Sequence, residues 1–399
     1  MICSETVTKV SLDSLDSNIE LLSSVDAADA PFLSCYIDLE AGEESCQRFL
    51  TSEAEFIRAG LSNMQRLDFD EAFEKVEESI ASVCRDDLRG MAIFTRSIMG
   101  GRFVRIIPSA IPFRNQLTFY RVPDLRPLLS LRDTYGEHFL LWAASDGIEL
   151  LRVEGGRVQT LAWVAEKRVA WHASEQQNLL SRSRVARKRR QIDGFARQIL
   201  SRAMKSAGRL KLVLAGDTNR LQRLRHWLPR HLLAAVSQTV TVSPFLDRSR
   251  ALRQIIDHTA AGCRAAVDAF AKSSLQVPTI RSRCVTGPNR TYSAIESQAL
   301  DILLISSNST PSLITATHPV TLDSVVGADL GKFSGVTQTQ YWDPGIELSR
   351  RACQQGIRIL VSNAHELFRH GGVGGLLRDS ADEATMPLPR PQTVAELVA

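Results

Sequence analysis

Nine consecutive residues, Arg182-Ser183-Arg184-Val185-Ala186-Arg187-Lys188-Arg189-Arg190, hold the densest charge in this 399-residue chain, and six of the nine are basic. On a helix, six cations this close cannot share one face. The rod is then positive nearly all round, and Asp193 or Glu175 offsets little of it. Phosphate backbones bind such a surface by releasing condensed counterions. Charge runs are more often solvated helix faces. Here the density and the scarcity of acidic neighbours favour contact with RNA or DNA, and do not distinguish sequence-specific from nonspecific binding. Just ahead lies a polar loop, Trp171-His172-Ala173-Ser174-Glu175-Gln176-Gln177-Asn178. His172, Glu175 and Gln177 are of types that can act in acid–base chemistry, although ordinary loops have the same composition more often than catalytic ones do.

The remaining candidates are weaker. His226 and His231 flank Pro229 with Asp217 nearby in sequence, but a metal site needs a third ligand and a geometry that this spacing does not supply. No metal and no cofactor is expected. Gly371-Gly372-Val373-Gly374-Gly375 has the composition of a phosphate cradle but lacks the Lys-Ser/Thr ending, so a turn with close backbone packing fits it better. Seven cysteines, an odd number with no Cys-x-x-Cys, argue against a disulfide framework or a zinc ribbon. Reduced thiols and a cytoplasmic location are expected, with Cys84, Cys263 and Cys353 as small core residues. Neither Gly-x-Ser-x-Gly nor His-Glu-x-x-His occurs, which removes support for common hydrolase classes. Met1 to Val10 does not have the form of a signal peptide. No apolar run approaches the ~20 residues that span a bilayer, so no membrane partner is expected.

The elements that must position these residues follow from periodicity and punctuation. Total charge is close to balance, with 48 Lys+Arg against 44 Asp+Glu. It is unevenly distributed: net −8 over residues 1–130, +13 over 131–273 and −1 over 274–399. Such asymmetry points to a polyanionic partner for the middle segment. Alternation predicts strands at Phe32–Asp38, Gly90–Thr95 and Phe103–Ile107, and helical spacing runs over 48–83. Pro108, Pro112, Pro123 and Pro127 mark a loop-rich domain exit. Phe139–Ala143, Ile148–Val153 and Val158–Trp163, separated by Asp146-Gly147 and Gly155-Gly156, predict three antiparallel strands. A long helix over 178–207, a strand at Leu210–Ala215, a helix over 219–234, a short strand at Thr239–Val242 and a helix over 247–273 complete a mixed-sheet α/β unit. Beyond a linker, the pattern predicts a helix at Ala294–Leu300, a strand at Asp301–Ile305, loops over 306–340, a helix at Ile346–Gln355 and a strand at Ile357–Val361. The fold class is α/β in three domains, 1–130, 131–273 and 274–380, with a flexible tail over 381–399.

This order of parts resembles the archaeal and eukaryotic class-1 peptide release factors and their relative Pelota. The likeness is greatest to the bacterial branch of that superfamily, whose members include the ribosome hibernation factor Balon. The most specific match is Phe368-Arg-His-Gly-Gly-Val-Gly-Gly-Leu-Leu-Arg378, similar to the family's Gly-Gly-Ile-Gly-Gly-Ile-Leu-Arg segment in the third domain. Glu347–Val361 and Ala299–Ile305 resemble neighbouring elements of that domain. In the middle domain the family places a Gly-Gly-Gln loop before a long basic helix. Here Glu175-Gln176-Gln177 and Arg182–Arg190 stand in those places. Gln177 matches the family's glutamine and both glycines are replaced. The resemblance implies a three-domain release-factor-like architecture, with an α/β sandwich as its C-terminal domain.

In the family those glycines let the backbone approach the peptidyl-tRNA ester, so their loss implies a protein without ordinary peptide-release activity. The first domain also lacks the family's Asn-Ile-Lys-Ser motif and is acidic, which argues against stop-codon reading. The resemblance therefore implies a translation factor of the hibernation or stress class, bound in the A site of the bacterial ribosome. His172, Ser174, Glu175, Gln176 and Gln177 would block the peptidyl-transferase centre. Arg182, Arg184, Arg187, Lys188, Arg189 and Arg190 would contact large-subunit rRNA. Gly371, Gly372, Gly374 and Gly375 would belong to a C-terminal partner contact, at the stalk base or with elongation factor Tu. Two alternatives remain at this level: a rescue factor that hydrolyses peptidyl-tRNA or cleaves tRNA through Gln177, and a nonribosomal RNA-binding module.

Overall fold

The computed structural model describes residues 14–25, 31–82, 88–98, 101–145, 147–165, 211–277, 283–308, 312–316 and 338–378. They form a mixed α/β structure of two compact units. One unit joins Met1–Asp133 to Ala266–Ala399, and the other is Thr134–Ala265. The segments 1–130 and 274–380 thus share one unit, and the second lies within the expected 131–273. The tail expected over 381–399 lies outside the described residues.

In the first unit, β1 (Phe32–Asp38), β2 (Gly90–Ile98), β3 (Gly101–Ser109) and β4 (Gln116–Tyr120) form an antiparallel sheet in the order β3-β2-β1-β4. Strand alternation assigns the two faces. Leu33, Cys35 and Ile37 pack with Met91, Ile93 and Ile106 under two helices, Glu43–Ala59 and Asn63–Ser82, which contribute Leu50, Ala54, Phe69, Phe73 and Val76. The helical pattern over 48–83 is therefore two helices. Ser62 and Gln65 explain the break: the Gln65 side chain accepts from the Ser62 N–H at 3.1 Å, while the Ser62 hydroxyl faces the Gln65 N–H at 3.5 Å. This is a capping box, which starts a new helix after Gly60. The stretch from Pro108 to Pro127 is likewise more than a loop-rich exit, because it contains β4 paired to β1.

A second sheet in this unit has the order β10-β15-β11-β14, made of Cys284–Thr286, Val373–Leu377, Leu300–Ser306 and Arg358–Ser362. β11 and β14 are parallel, and β15 runs antiparallel between β10 and β11. Ile302 and Leu304 face Phe270, Ala271 and Leu275 of the helix Arg248–Gln276 and Leu367 of the short helix His365–Phe368. The side chain of Ile305 lies against Gly345, in the helix Pro344–Gln354. Helices on both faces give this part its α/β sandwich form. The expected helix Ala294–Leu300 is shifted: the helix is Pro288–Glu296, with proline in its first turn, where its missing N–H costs nothing. The stretch 306–340 also contains strands, since β12 (Ser312–Ala316) pairs with β13 (Gln338–Trp342).

The even-numbered face of β1 meets a buried charge cluster. Arg126, 2% exposed in its side chain, grips both oxygens of Asp124 through Nε at 2.9 Å and Nη2 at 2.6 Å. Its Nη1 lies 3.3 Å from Asp343. Asp343 also caps the helix Pro344–Gln354, accepting from the N–H groups of Gly345 and Ile346 at 2.9 and 3.2 Å. Tyr36 donates its hydroxyl to the Asp124 carbonyl at 2.5 Å. One turn along the same helix, Glu347 accepts from the Tyr120 hydroxyl at 3.0 Å and pairs with Arg121. Burial and the neighbouring Glu347 carboxylate both push the Tyr120 hydroxyl far above its ordinary pKa.

The second unit is a five-stranded mixed sheet in the order β7-β6-β5-β8-β9, made of Arg157–Ala165, Gly147–Glu154, His138–Ala143, Leu212–Gly216 and Val236–Thr241. β5, β6 and β7 are antiparallel neighbours, as the sequence predicts, whereas β5, β8 and β9 are parallel. Gly155 and Gly156, with φ of 56° and 79°, form the tight β6–β7 turn, whose two positive φ values match strand twist. Leu221, Leu224, Leu228 and Leu232 pack on Phe139, Leu141, Leu150 and Leu214. The helix expected over 219–234 is two, Thr218–Trp227 and Arg230–Leu233, divided at Leu228-Pro229. Leu228 is extended, the conformation that a following proline favours. Cys263 and Cys353 are only partly buried, so they sit at the edges of packed regions and not within a core, and Cys84 lies outside the described residues.

Arg126→Met leaves Asp124 and Asp343 buried without their cation, and stability of the first unit should fall by about 3–5 kcal/mol in urea unfolding. An unchanged midpoint would show that the cluster contributes nothing. His138, at the start of β5, bonds through Nδ1 to the Gly136 carbonyl at 3.0 Å, and its buried Nε2 has no partner among the described residues. Burial lowers its pKa below 6.5, Lys211 lowers it further, and the Gly136 bond offsets part of this. A depressed histidine pKa leaves the folded form refusing a proton that the unfolded chain accepts. Stability should therefore decline as pH falls through about 6.5, by at most about 1.4 kcal/mol per pH unit from this group. His138→Gln should lack that component when the two proteins are melted from pH 7.5 down to 5.

Candidate functional site

The residues most directly tied to chemistry by the sequence lie outside the described residues. These are His172, Ser174, Glu175, Gln176, Gln177 and the cluster Arg182, Arg184, Arg187, Lys188, Arg189 and Arg190, together with the helix expected over 178–207. Their anchoring strands are described. β7 ends at Ala165 opposite Gly147, at the end of the sheet where β5 and β8 finish in Ala143 and Gly216. β8 starts at Leu212 opposite Phe139, at the other end. The segment 166–210 therefore joins two parallel strands of one sheet and connects opposite ends of it.

The carboxyl ends of β5 and β8 border a cleft of about 330 Å³. Open α/β sheets characteristically bind ligands outside such strand ends. Trp142, Ser145, Glu149, Gly216, Asp217 and Arg248 are among its lining residues. Asp217 is committed to structure: its side chain accepts from the N–H groups of Asn219 and Arg220, both at 3.0 Å, and caps the helix Thr218–Trp227. It also pairs with Arg220 at 3.3 Å. Glu149, almost fully buried, is held by Arg248 at 2.8 Å, and Arg248 reaches Thr160 at 3.1 Å. Asp247 pairs with Arg250 at 3.2 Å.

Asp217, His226 and His231 do not form a metal site. No group of three or more His, Cys, Asp or Glu able to hold a metal occurs among the described residues. No helix among them is long and apolar enough to cross a membrane. The glycines of the 371–375 segment are structural neighbours of the second sheet. Gly371 and Gly372 make the turn into β15, with φ of 71° and 75°. Gly374 and Gly375 lie buried inside β15, where a Cβ on Gly375 would come within 2.6 Å of Leu300 and 2.7 Å of the Ile302 carbonyl. Positive φ at Gly371 and Gly372 and close packing at Gly375 give these glycines a role in the fold.

The sequence pattern did not reveal the cleft or the exposure of two aromatics of this unit, Phe245 and Trp163. The available signal was the pair Gly216-Asp217, a strand ending in a glycine and a helix cap. It marks a strand-to-helix turn at the sheet's carboxyl end.

Residues 123–262 match a family model described as Bacterial archaeo-eukaryotic release factor family 10. No curated protein matches the chain. Among solved structures, the archaeal translation termination factor aRF1 is 15% identical, with 92% of this chain and 97% of that chain covered at a TM-score of 0.26. Archaeoglobus fulgidus Pelota is 14% identical, covering 73% and 80% at 0.32. A translation termination-like factor of S. cerevisiae involved in RNA quality control pathways is 8% identical, covering 93% and 96% at 0.37. The family match contains the whole of the β5–β9 sheet and the segment 166–210 that it anchors. Residues 123–262 are thus similar to a release-factor family model.

Proposed function

We propose that this protein is a ribosome-binding translation factor of the hibernation or stress class. It occupies the A site and fills the peptidyl-transferase centre without hydrolysing peptidyl-tRNA. The observation that carries this reading is the release-factor family match over 123–262, which contains both the Glu175-Gln176-Gln177 loop and the basic cluster 182–190. The charge distribution supports it: the unit Thr134–Ala265 holds 23 Lys+Arg against 10 Asp+Glu, a net +13 suited to rRNA. The replacement of two glycines by Glu175 and Gln176 supports occupancy over catalysis, because side chains now stand where a close backbone approach would be needed. Elongation factor Tu and tRNA are candidate companions of the bound state, and the cytoplasm is the matching compartment.

Co-sedimentation with bacterial ribosomes over a salt series tests the reading. Binding at low salt should fall steeply as salt rises. Reversing the charges of Arg182, Arg184, Arg187, Lys188, Arg189 and Arg190 should weaken it sharply, with the salt slope reduced by about 0.9 for each phosphate no longer neutralised. Failure of the native protein to bind at low salt would sink the proposal. Ribosomes carrying labelled peptidyl-tRNA should show no release above background. Release that disappears in Gln177→Ala would replace occupancy with rescue by hydrolysis.

A further inference from the structure

We infer that the cleft at the carboxyl end of the β5–β9 sheet, together with Trp163 and Phe245, is a stacking site for an unpaired nucleotide of a single-stranded RNA segment. The inference deepens the RNA-binding part of the proposed function and rests on it. It concerns residues distinct from the 172–178 loop and the 182–190 cluster.

Three observations converge. The first is a row of side chains on one sheet face. Trp142 pairs with Glu149 across β5–β6, and Glu149 pairs with Trp163 across β6–β7. Residues directly opposite in a ladder share a face, so Trp142, Glu149 and Trp163 form one transverse line. Trp142 and Glu149 line the cleft, and Trp163 extends the line outward, 51% exposed. The second is Phe245, 95% exposed in the link between β9 and the helix Arg248–Gln276. Its chain neighbours Pro244 and Leu246 line the same cleft, so Phe245 belongs to the loop that borders it. Burying a phenylalanine side chain is worth roughly 1.5–3 kcal/mol, and the fold leaves this one in water. The third is the charge balance. The three carboxylates at the cleft, Glu149, Asp217 and Asp247, are each held by an arginine, Arg248, Arg220 and Arg250.

Those pairs decide what the cleft accepts. It offers hydrogen-bond donors and acceptors with no net charge, so it does not draw in a phosphate. A nucleobase is neutral and planar and carries both donors and acceptors on its edge. The volume lies at the low end of ligand pockets, roughly 300–1,000 Å³, which suits one planar group better than a peptide segment. The exposed Arg223 and Arg230 on the following helices, in a unit of net +13, supply the attraction that a nucleotide's phosphates require. Aromatic platforms beside a cationic surface are how single strands are held without base pairing.

The test measures binding of the full chain to short single-stranded oligo-A and oligo-U RNA over a salt series, with ribosome co-sedimentation in parallel. Phe245 and Trp163 are exposed, so their replacement should leave folding intact, which circular dichroism checks. Phe245→Ala and Trp163→Ala should each weaken RNA binding roughly 5- to 150-fold. The salt slope should stay unchanged, because stacking releases no counterions. Phe245→Tyr should bind as the native protein does, and Phe245→Leu should not. Alanine variants that bind RNA like the native chain, or native protein that binds no RNA, would overturn the inference. So would full activity of Phe245→Leu, which would mark an apolar protein contact instead. Loss of ribosome binding alone, with oligonucleotide binding still dependent on Phe245, would remove the proposed function and leave the stacking site standing.

Discussion

A single guanidinium organises the first unit. Arg126 is inaccessible to water, and a cation in that position is tolerable only because Asp124 and Asp343 surround it. Each carboxylate residue also does a second task. The backbone of Asp124 is pinned to β1 through Ser34, at 3.1 Å, and Tyr36, and Asp343 caps the helix Pro344–Gln354. The interaction therefore connects the β3-β2-β1-β4 sheet, the helix Arg126–Thr134 and the helix over the second sheet. Residues more than two hundred positions apart in sequence become one compact body. Glu347, held by Tyr120 and Arg121, repeats the arrangement one turn further on. An apolar core tolerates sliding, whereas a desolvated ion pair with bidentate geometry does not, because any slip exposes an unpaired buried charge.

The second unit follows a different logic. Its sheet is held by ordinary aliphatic packing, and its cleft lies at the rim. β5 and β8 run parallel and end together, so two loops and a helix start converge on one edge of the sheet. Glu149 and Arg248 hold that rim by pairing β6 with the first turn of the helix Arg248–Gln276. The strand β7, which precedes the segment containing Gln177, ends at the same rim. A rigid sheet carrying functional residues on its connections is the usual division of labour in such folds.

The sequence exposed the elements whose signals are local. The alternation of Phe32–Asp38 marks β1 to the residue, and the Gly155-Gly156 turn gives the antiparallel pairing of β6 and β7. It obscured elements whose identity depends on neighbours. β4 lies among prolines that read as loop, and it is a strand because β1 offers it a ladder. β15 contains adjacent glycines that read as a turn, yet it runs through the centre of its sheet because Leu300 and the Ile302 carbonyl leave no room for a Cβ. The helix break at Ser62 was locally encoded in Ser62 and Gln65, and was hidden by apolar spacing that continues across it. The Arg126 cluster had no local signature, since Asp343 is one aspartate among many. Phe245 likewise resembles a core phenylalanine in sequence, because exposure is a property of the folded chain. The loop at 172–178 and the cluster at 182–190 stood out by composition alone.

Charge links the two units to function more directly than any single contact. The unit Thr134–Ala265 carries net +13, so the rest of the chain carries net −9. Near a polyanion these act in opposite directions: one unit is attracted and the other repelled, over the Debye length of roughly 8 Å at physiological ionic strength. An RNA surface therefore selects the unit it meets before any specific contact forms. Electrostatics of this kind fixes which unit approaches and accelerates the encounter, but it is indifferent to position along the phosphate backbone. Position must come from groups that touch something other than phosphate. In the second unit the candidates are the cleft and two exposed aromatic rings, Trp163 and Phe245. In the proposed RNA complex the cations would supply affinity and the uncharged rim register.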